Sequence, residues 1–337
     1  MLCALQHVGM GVSDAAASYA FYRYRLGFNL KLVDWRGKNE EFNPFIGELA
    51  EVHIIMAINS RKGGAIELIE LISLPTCRNG DRWGDIGYLS SGYRAENLAM
   101  LARHLERSGV SFKVPIQSIQ LTDGRRREFA FLRDPDGNIL ELIDTHPGVS
   151  RRPAVSGLMQ ITIGVRDLDR AICFYRDILG YDKVLFESSG RASALDPLFR
   201  GKLNQREVLL GRSSSLGGLF VSPDGGTLRL VQALDYEGKQ LSEGRPWGYP
   251  GLQMECCYEV RDIRSAVEKL KADKQEIFRP PTYLNLGSGS HGYFAFVKDP
   301  DGNLVEFVEV TRVAWLSPRA LSFVWPVASP VIGRLRA

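Results

Sequence analysis

The sequence predicts an α+β fold in which one strand–helix–three-strand module is used four times. Two repeated phrases and the chain length carry this prediction. Residues 129–144 read FAFLRDPDGNILELID and residues 293–309 read YFAFVKDPDGNLVEFVE, the same phrase in two places. Upstream of each, HVGMGVSD (7–14) followed by FYRYRLGF (21–28) is matched by QITIGVRD (160–167) followed by FYRDILGY (174–181). A chain of 337 residues suits two domains of roughly 150 residues each, so each domain holds two modules.

The elements follow in order. Leu5–Val12 alternates as a strand does, and Asp14–Leu26 has helical apolar spacing that Gly27 ends, since glycine tolerates the left-handed conformation of a helix C-terminus. Strands are expected near Phe28–Asp34, Val52–Ile58 and Ala65–Ile72, where β-branched residues alternate with polar ones. The second module reads as a strand near Asp85–Tyr93, a helix near Asn97–Ser108 and strands at Phe112–Ile119, Glu128–Leu132 and Ile139–Ile143. Between the last two, Asp134-Pro-Asp-Gly137 makes a turn: proline presets one dihedral and glycine allows a positive one. A third module spans Leu158–Ala233 and a fourth Leu252–Val310; the connectors RWGDIG (82–87) and RPWGYPG (245–251) also rhyme. The expected division is a domain at 1–147, a Pro/Ser/Arg-rich linker at 148–156, a domain at 157–312 and a tail at 313–337. Glu187–Gly218, rich in Ser and Gly, suits a loop or lid over a site.

Composition removes several function classes. Lys and Arg number 42 against 39 Asp and Glu, a net charge of +3, and no basic block interleaves with aromatics, so nucleic acid is not an expected partner. Arg125–Arg127 and Arg151–Arg152 read as short solvated clusters. Five cysteines lack paired spacing for a disulfide framework, and adjacent Cys256 and Cys257 must point to opposite faces of a strand, which argues against a joint metal site. The N-terminus has no basic start before a long apolar core, and prolines interrupt the apolar tail, so a cytoplasmic protein without a membrane partner is expected.

The strand, the helix ending in FYxxxLGF or FYxxxLGY and the closing DPDGNxxE strand resemble the glyoxalase/bleomycin-resistance/dioxygenase group, the vicinal oxygen chelate superfamily. The likeness extends over residues 3–311. It implies four βαβββ modules paired into two incomplete barrels, each able to hold a divalent metal, with ligands from the first and last strand of each module. Tandem domains of this size look like the type I ring-cleaving dioxygenases.

Carried onto this chain, the first-strand positions are His7, Ser90 or Ser91, Gln160 and Glu255, and the last-strand positions are Glu67, Glu141, Arg229 and Glu306. Taken repeat by repeat, the first offers His7, Glu67 and Glu141, and the second Gln160, Glu255 and Glu306 with Arg229. Each glutamate lies among apolar residues, where a carboxylate needs a cation, a donor or a proton. Histidine with carboxylates suits Fe, Mn, Ni or Zn. In the second repeat Arg229 either closes an ion pair with Glu255 and Glu306 or holds an anionic substrate.

Ring-cleaving relatives use two histidines and a glutamate, and both histidines are missing here. A lyase- or isomerase-type proton transfer on a small oxygenated molecule is therefore expected, with Glu141 or Glu306 as base and His291 as a further acid or base. An oxygenase with an unusual ligand set and a metal-free sequestering protein are the alternatives. His53 and Phe296 are expected near the substrate. Whether modules pair within one chain or across a homodimer is open.

Overall fold

The computed structural model describes residues 3–72, 83–217, 220–287 and 290–312; the expected tail at 313–337 lies outside them. All four modules are present. The first comprises β1 (Cys3–Val12), a helix (Ala15–Leu26), β2 (Leu30–Lys38), β3 (Glu51–Ile58) and β4 (Ala65–Leu71). The second comprises β5 (Gly87–Glu96), a helix (Leu98–Arg107), β6 (Phe112–Gln120), β7 (Arg126–Arg133) and β8 (Ile139–Asp144). The third has β9 (Ala154–Gly164), a helix (Leu168–Leu179), β10 (Lys183–Arg191), β11 (Asn204–Gly211) and β12 (Thr227–Ala233). The fourth has β13 (Gln253–Val260), a helix (Ile263–Ala272), β14 (Ile277–Gly287), β15 (Ser290–Lys298) and β16 (Leu304–Arg312).

Local chemistry explains these boundaries. Asp14 caps the first helix by accepting from the Ala17 amide at 2.9 Å, and Gly27 ends it with φ 74°. Asp167 and Asp262 repeat that cap on the third and fourth helices. In the turn at 134–137, Gly137 has φ 99° and the Asp134 carboxylate accepts from the Asn138 amide at 2.8 Å. Part of the segment expected to be a loop or lid at 187–218 is instead strand: β10 and β11 pair antiparallel around a short helical turn at Asp196–Phe199. Ser188, Ser189 and Gly190 sit on β10, an edge strand whose side chains are mostly exposed, where nothing selects for apolar residues.

The pairing of modules departs from the sequence repeats. One eight-stranded sheet runs β2-β3-β4-β1-β13-β16-β15-β14 and the other β10-β11-β12-β9-β5-β8-β7-β6. The first and fourth modules thus form a terminal half-barrel, and the second and third a central one. β1 lies antiparallel on β13, and β5 on β9. Only residues 145–153 separate β8 from β9, overlapping the expected linker at 148–156, so the middle modules meet directly and leave the outer two to each other. Both pairings close within one chain.

Alternation on each strand gives every sheet two faces. Val8, Leu68, Leu142, Ile163 and Tyr258 join the buried faces of the four long helices in one large core. Residues one step along these strands line the opposite, concave faces. No helix among the described residues is long and apolar enough to cross a membrane.

Candidate metal centre

In the terminal half-barrel, strand register sets two rows of side chains across the concave face. One row aligns His7 on β1 with Cys257 on β13 and Glu306 on β16. The next aligns Glu67 on β4, Gly9 on β1 and Glu255 on β13. His7, Glu67, Glu255 and Glu306 therefore converge. His7 Nε2 lies 3.1 Å from Glu306 and 3.6 Å from Glu67, and one ligand atom each from His7, Glu67 and Glu255 fall within 4.8 Å of one another.

The environment favours a cation at this point. His7 is 3% and Glu255 1% exposed, and among the described residues the only basic group within 4 Å of these carboxylates is His7 itself. Burial, then the facing carboxylates of Glu306 and Glu67, push the Glu255 carboxyl well above its ordinary value. Although burial disfavours the charged imidazole, Cys257 and Glu306 hold His7 well above its ordinary value. His7 Nδ1 donates to Gln6 Oε1 at 2.6 Å, which turns the buried Nε2 into the cluster toward the carboxylates of Glu306 and Glu67. An outward-held Nδ1–H with the other nitrogen turned inward is how a metal-ligating histidine is oriented. Trp247 Nε1 donates to Glu255 Oε2 at 2.5 Å and fixes that carboxylate.

Gly9 is required by this arrangement. A Cβ built there would lie 2.3 Å from Glu255 Oε1, so the carboxylate occupies the space a side chain would fill. Gly9→Ala is expected to displace Glu255 and weaken metal binding on the order of 10–100-fold, the cost of disturbing a ligand's support. Titration with a divalent ion checks this against a preserved circular-dichroism spectrum.

An aromatic cover closes the trough. The segment between β2 and β3 carries Phe42 and Phe45, whose rings lie 5.2 and 6.0 Å from that of Trp247. Phe45 also meets Phe296 at 4.7 Å and Phe278 at 5.2 Å. Glu41 of this segment forms an ion pair with Arg279 on β14, joining the two open edges of the sheet.

The central half-barrel holds a different set at the matching positions: Gln160, Ser90, Arg229 and Glu141, with register selecting Ser90 over Ser91. Arg229 Nη2 lies 3.2 Å from Glu141, and Gln160 Nε2 donates to Glu141 at 2.7 Å. Arg127 donates to Gln160 Oε1. Burial pushes the Glu141 carboxyl up while Arg229 and Arg127 pull it back, and burial lowers the Arg127 guanidinium to about 10. Two guanidiniums crowd a position where a metal would need ligands.

Several expectations are thereby corrected. Glu141 and Gln160 do not join His7 or Glu255 and Glu306, because ligands assemble by sheet and not by repeat. Arg229 pairs with Glu141, not with Glu255 and Glu306. Arg127 is no solvated loop residue: it is 1% exposed and points inward from β7. His53 faces the outer side of β3, between Asp34 at 2.9 Å and Glu70 at 3.4 Å. His291 bonds Thr311 at 2.8 Å and pairs with Arg312, five residues (~16 Å) along β15 from the row of Glu306. Phe296 does stand beside Glu306, buried against Phe45. Sequence reasoning missed Trp247, Phe45 and Gly9; only the rhyme between the two tryptophan connectors pointed toward the first.

Comparison with known proteins adds the family. The model of the Glyoxalase/Bleomycin resistance protein/Dioxygenase superfamily matches residues 4–142 and again 157–307. The chain belongs to this superfamily. Among curated members, lactoylglutathione lyase of Schizosaccharomyces pombe is 26% identical over 316 residues, covering 90% of this chain and 96% of its own. Glyoxalase I from Zea mays superposes with a TM-score of 0.58 at 18% identity, over 91% of this chain and 92% of that one. A Bacillus subtilis structure assigned provisionally to a dioxygenase gives 0.57 at 14% identity, over 98% and 96%. These structural likenesses show the superfamily fold, with its two curled half-barrels.

Proposed function

We propose that the chain is a metal-dependent enzyme of lyase or isomerase type, moving a proton within a small oxygenated molecule in the terminal half-barrel. The convergence of His7, Glu67, Glu255 and Glu306, with Nε2 of His7 turned into the cluster, carries this reading. These four residues would hold an Fe, Mn, Ni or Zn ion, which supplies Lewis acidity toward charge developing on a carbonyl oxygen.

The chain's own residues supply the rest. Trp247 holds Glu255 still, so that carboxylate orients and does not exchange protons. Glu306 has no tryptophan donor like that on Glu255 among the described residues, faces His7 and Cys257, and stands beside Phe296. It is the group placed to take a proton from the carbon next to a carbonyl and return it to the adjacent carbon. Phe42, Phe45 and Trp247 keep water from the exposed carbanion and offer an apolar wall to the substrate. A single histidine in the ligand set disfavours ring cleavage, and the lack of a basic counter-ion disfavours a metal-free trough.

The relative's name makes formation of lactoylglutathione, from the adduct of glutathione with the matching 2-oxoaldehyde, the first reaction to assay. Chelator-treated protein is expected to lose turnover and to regain it with one of the four ions. Ligand binding with no turnover under any ion would instead identify a sequestering protein.

A further inference from the structure

Among the described residues, Cys257 is a group able to bind a metal beside the centre that the ligand set above leaves unused. It sits in the same row as His7 and Glu306, directly between them in the sheet. Its Sγ, a ring nitrogen of His7 and a carboxylate oxygen of Glu306 all lie within 4.8 Å of one another, and all three residues are buried. Its neighbour Cys256 faces the other way and meets the Tyr88 hydroxyl at 3.3 Å in the helix-covered core.

The matching position in the central half-barrel is Gly92, where a Cβ would lie 2.6 Å from Ile143 Cδ1 and 2.9 Å from the Gln160 Cβ. The module therefore does not need a side chain here in order to fold. In the terminal half-barrel this position instead carries a buried thiol beside the imidazole and carboxylate of His7 and Glu306.

We propose that Cys257 is a ligand that tunes this centre toward thiophilic ions, binding as thiolate beside His7 and Glu306. The inference rests on the metal reading of the site. Its chemical content is one of softness: nitrogen and carboxylate ligands alone accept Mn²⁺ readily, whereas an added sulfur favours Zn²⁺ and Co²⁺. A bound ion takes the place of the thiol proton, so the thiolate's charge is met inside the site.

Cobalt provides a readout independent of turnover. The full chain is stripped, reloaded with Co²⁺, checked for stoichiometry by elemental analysis and examined in the near ultraviolet. Wild type is expected to show a thiolate-to-cobalt charge-transfer band that disappears in Cys257→Ser and persists in Cys256→Ser. The zinc-loaded protein is expected to show one sulfur scatterer at about 2.3 Å by X-ray absorption. In Cys257→Ser the preference for Zn²⁺ over Mn²⁺ is expected to fall by on the order of 10-fold or more.

Stoichiometric cobalt without the band in wild type overturns the thiolate ligand while leaving the metal site standing. Persistence of the band in a folded Cys257→Ser protein does the same. Failure of wild type to take up cobalt or zinc overturns this inference, and failure to take up iron, manganese and nickel as well overturns the metal reading.

Discussion

Replacing Glu306 by alanine is expected to reduce turnover by on the order of 10²–10⁴-fold and to weaken the bound metal. Two losses coincide in this variant. His7 Nε2 loses its neighbour at 3.1 Å, and the row beside Phe296 loses the group assigned to move the proton. Glu306→Gln separates them, because an amide keeps an oxygen toward the ion but cannot take up a proton. Metal retained with turnover lost in Glu306→Gln assigns the base to Glu306. Normal turnover in both variants would remove Glu306 from the chemistry and with it the site proposed here. Elemental analysis and a proton-exchange assay on the same preparations decide between these results.

Glu141→Ala is expected to act on stability and not on metal content. Glu141 is wholly buried, and its carboxylate faces Arg229 and accepts from Gln160. Removing it leaves Arg229 and Arg127 inside the central half-barrel with Glu207, 3.8 Å from Arg229, as the remaining nearby carboxylate. Breaking a buried pair in this way costs about 3–5 kcal/mol, since the abandoned charge keeps its desolvation penalty. A denaturant midpoint lowered accordingly, with metal stoichiometry unchanged, is the expected pair of measurements. Loss of metal without loss of stability would mean that the central half-barrel carries the centre.

The fold was legible because it repeats. Every strand and long helix expected in the first two modules is present, with ends shifted by a few residues, and the capping aspartates and the glycine after FYRYRL mark the boundaries by local chemistry alone. Single positions were legible for the same reason: aligned modules place His7, Glu67, Glu255 and Glu306 at equivalent points. Their grouping was not legible. All modules offer a similar first-strand edge, so nothing local states whether β1 will lie on β5 or on β13. The choice depends on long-range packing, and it reassigns Glu141 from a metal to Arg229. Arg127 illustrates the same difficulty, since a run of three arginines looks solvated until the strand beginning at Arg126 turns every second side chain inward. The two adjacent cysteines were correctly read as facing opposite ways. That reading had a second half, namely that one of them must face the trough.

The pairing of the outer modules also dictates when the centre can come into being. Of the four proposed ligands His7 is synthesised first and Glu306 last, with the whole central half-barrel between them. The middle modules can fold on each other while the first still waits with an open sheet edge. That nascent edge, β1 with its buried apolar neighbours, is the natural client for a chaperone until β13 arrives. Capture of the proposed ion is then possible only after the first and fourth modules have found each other.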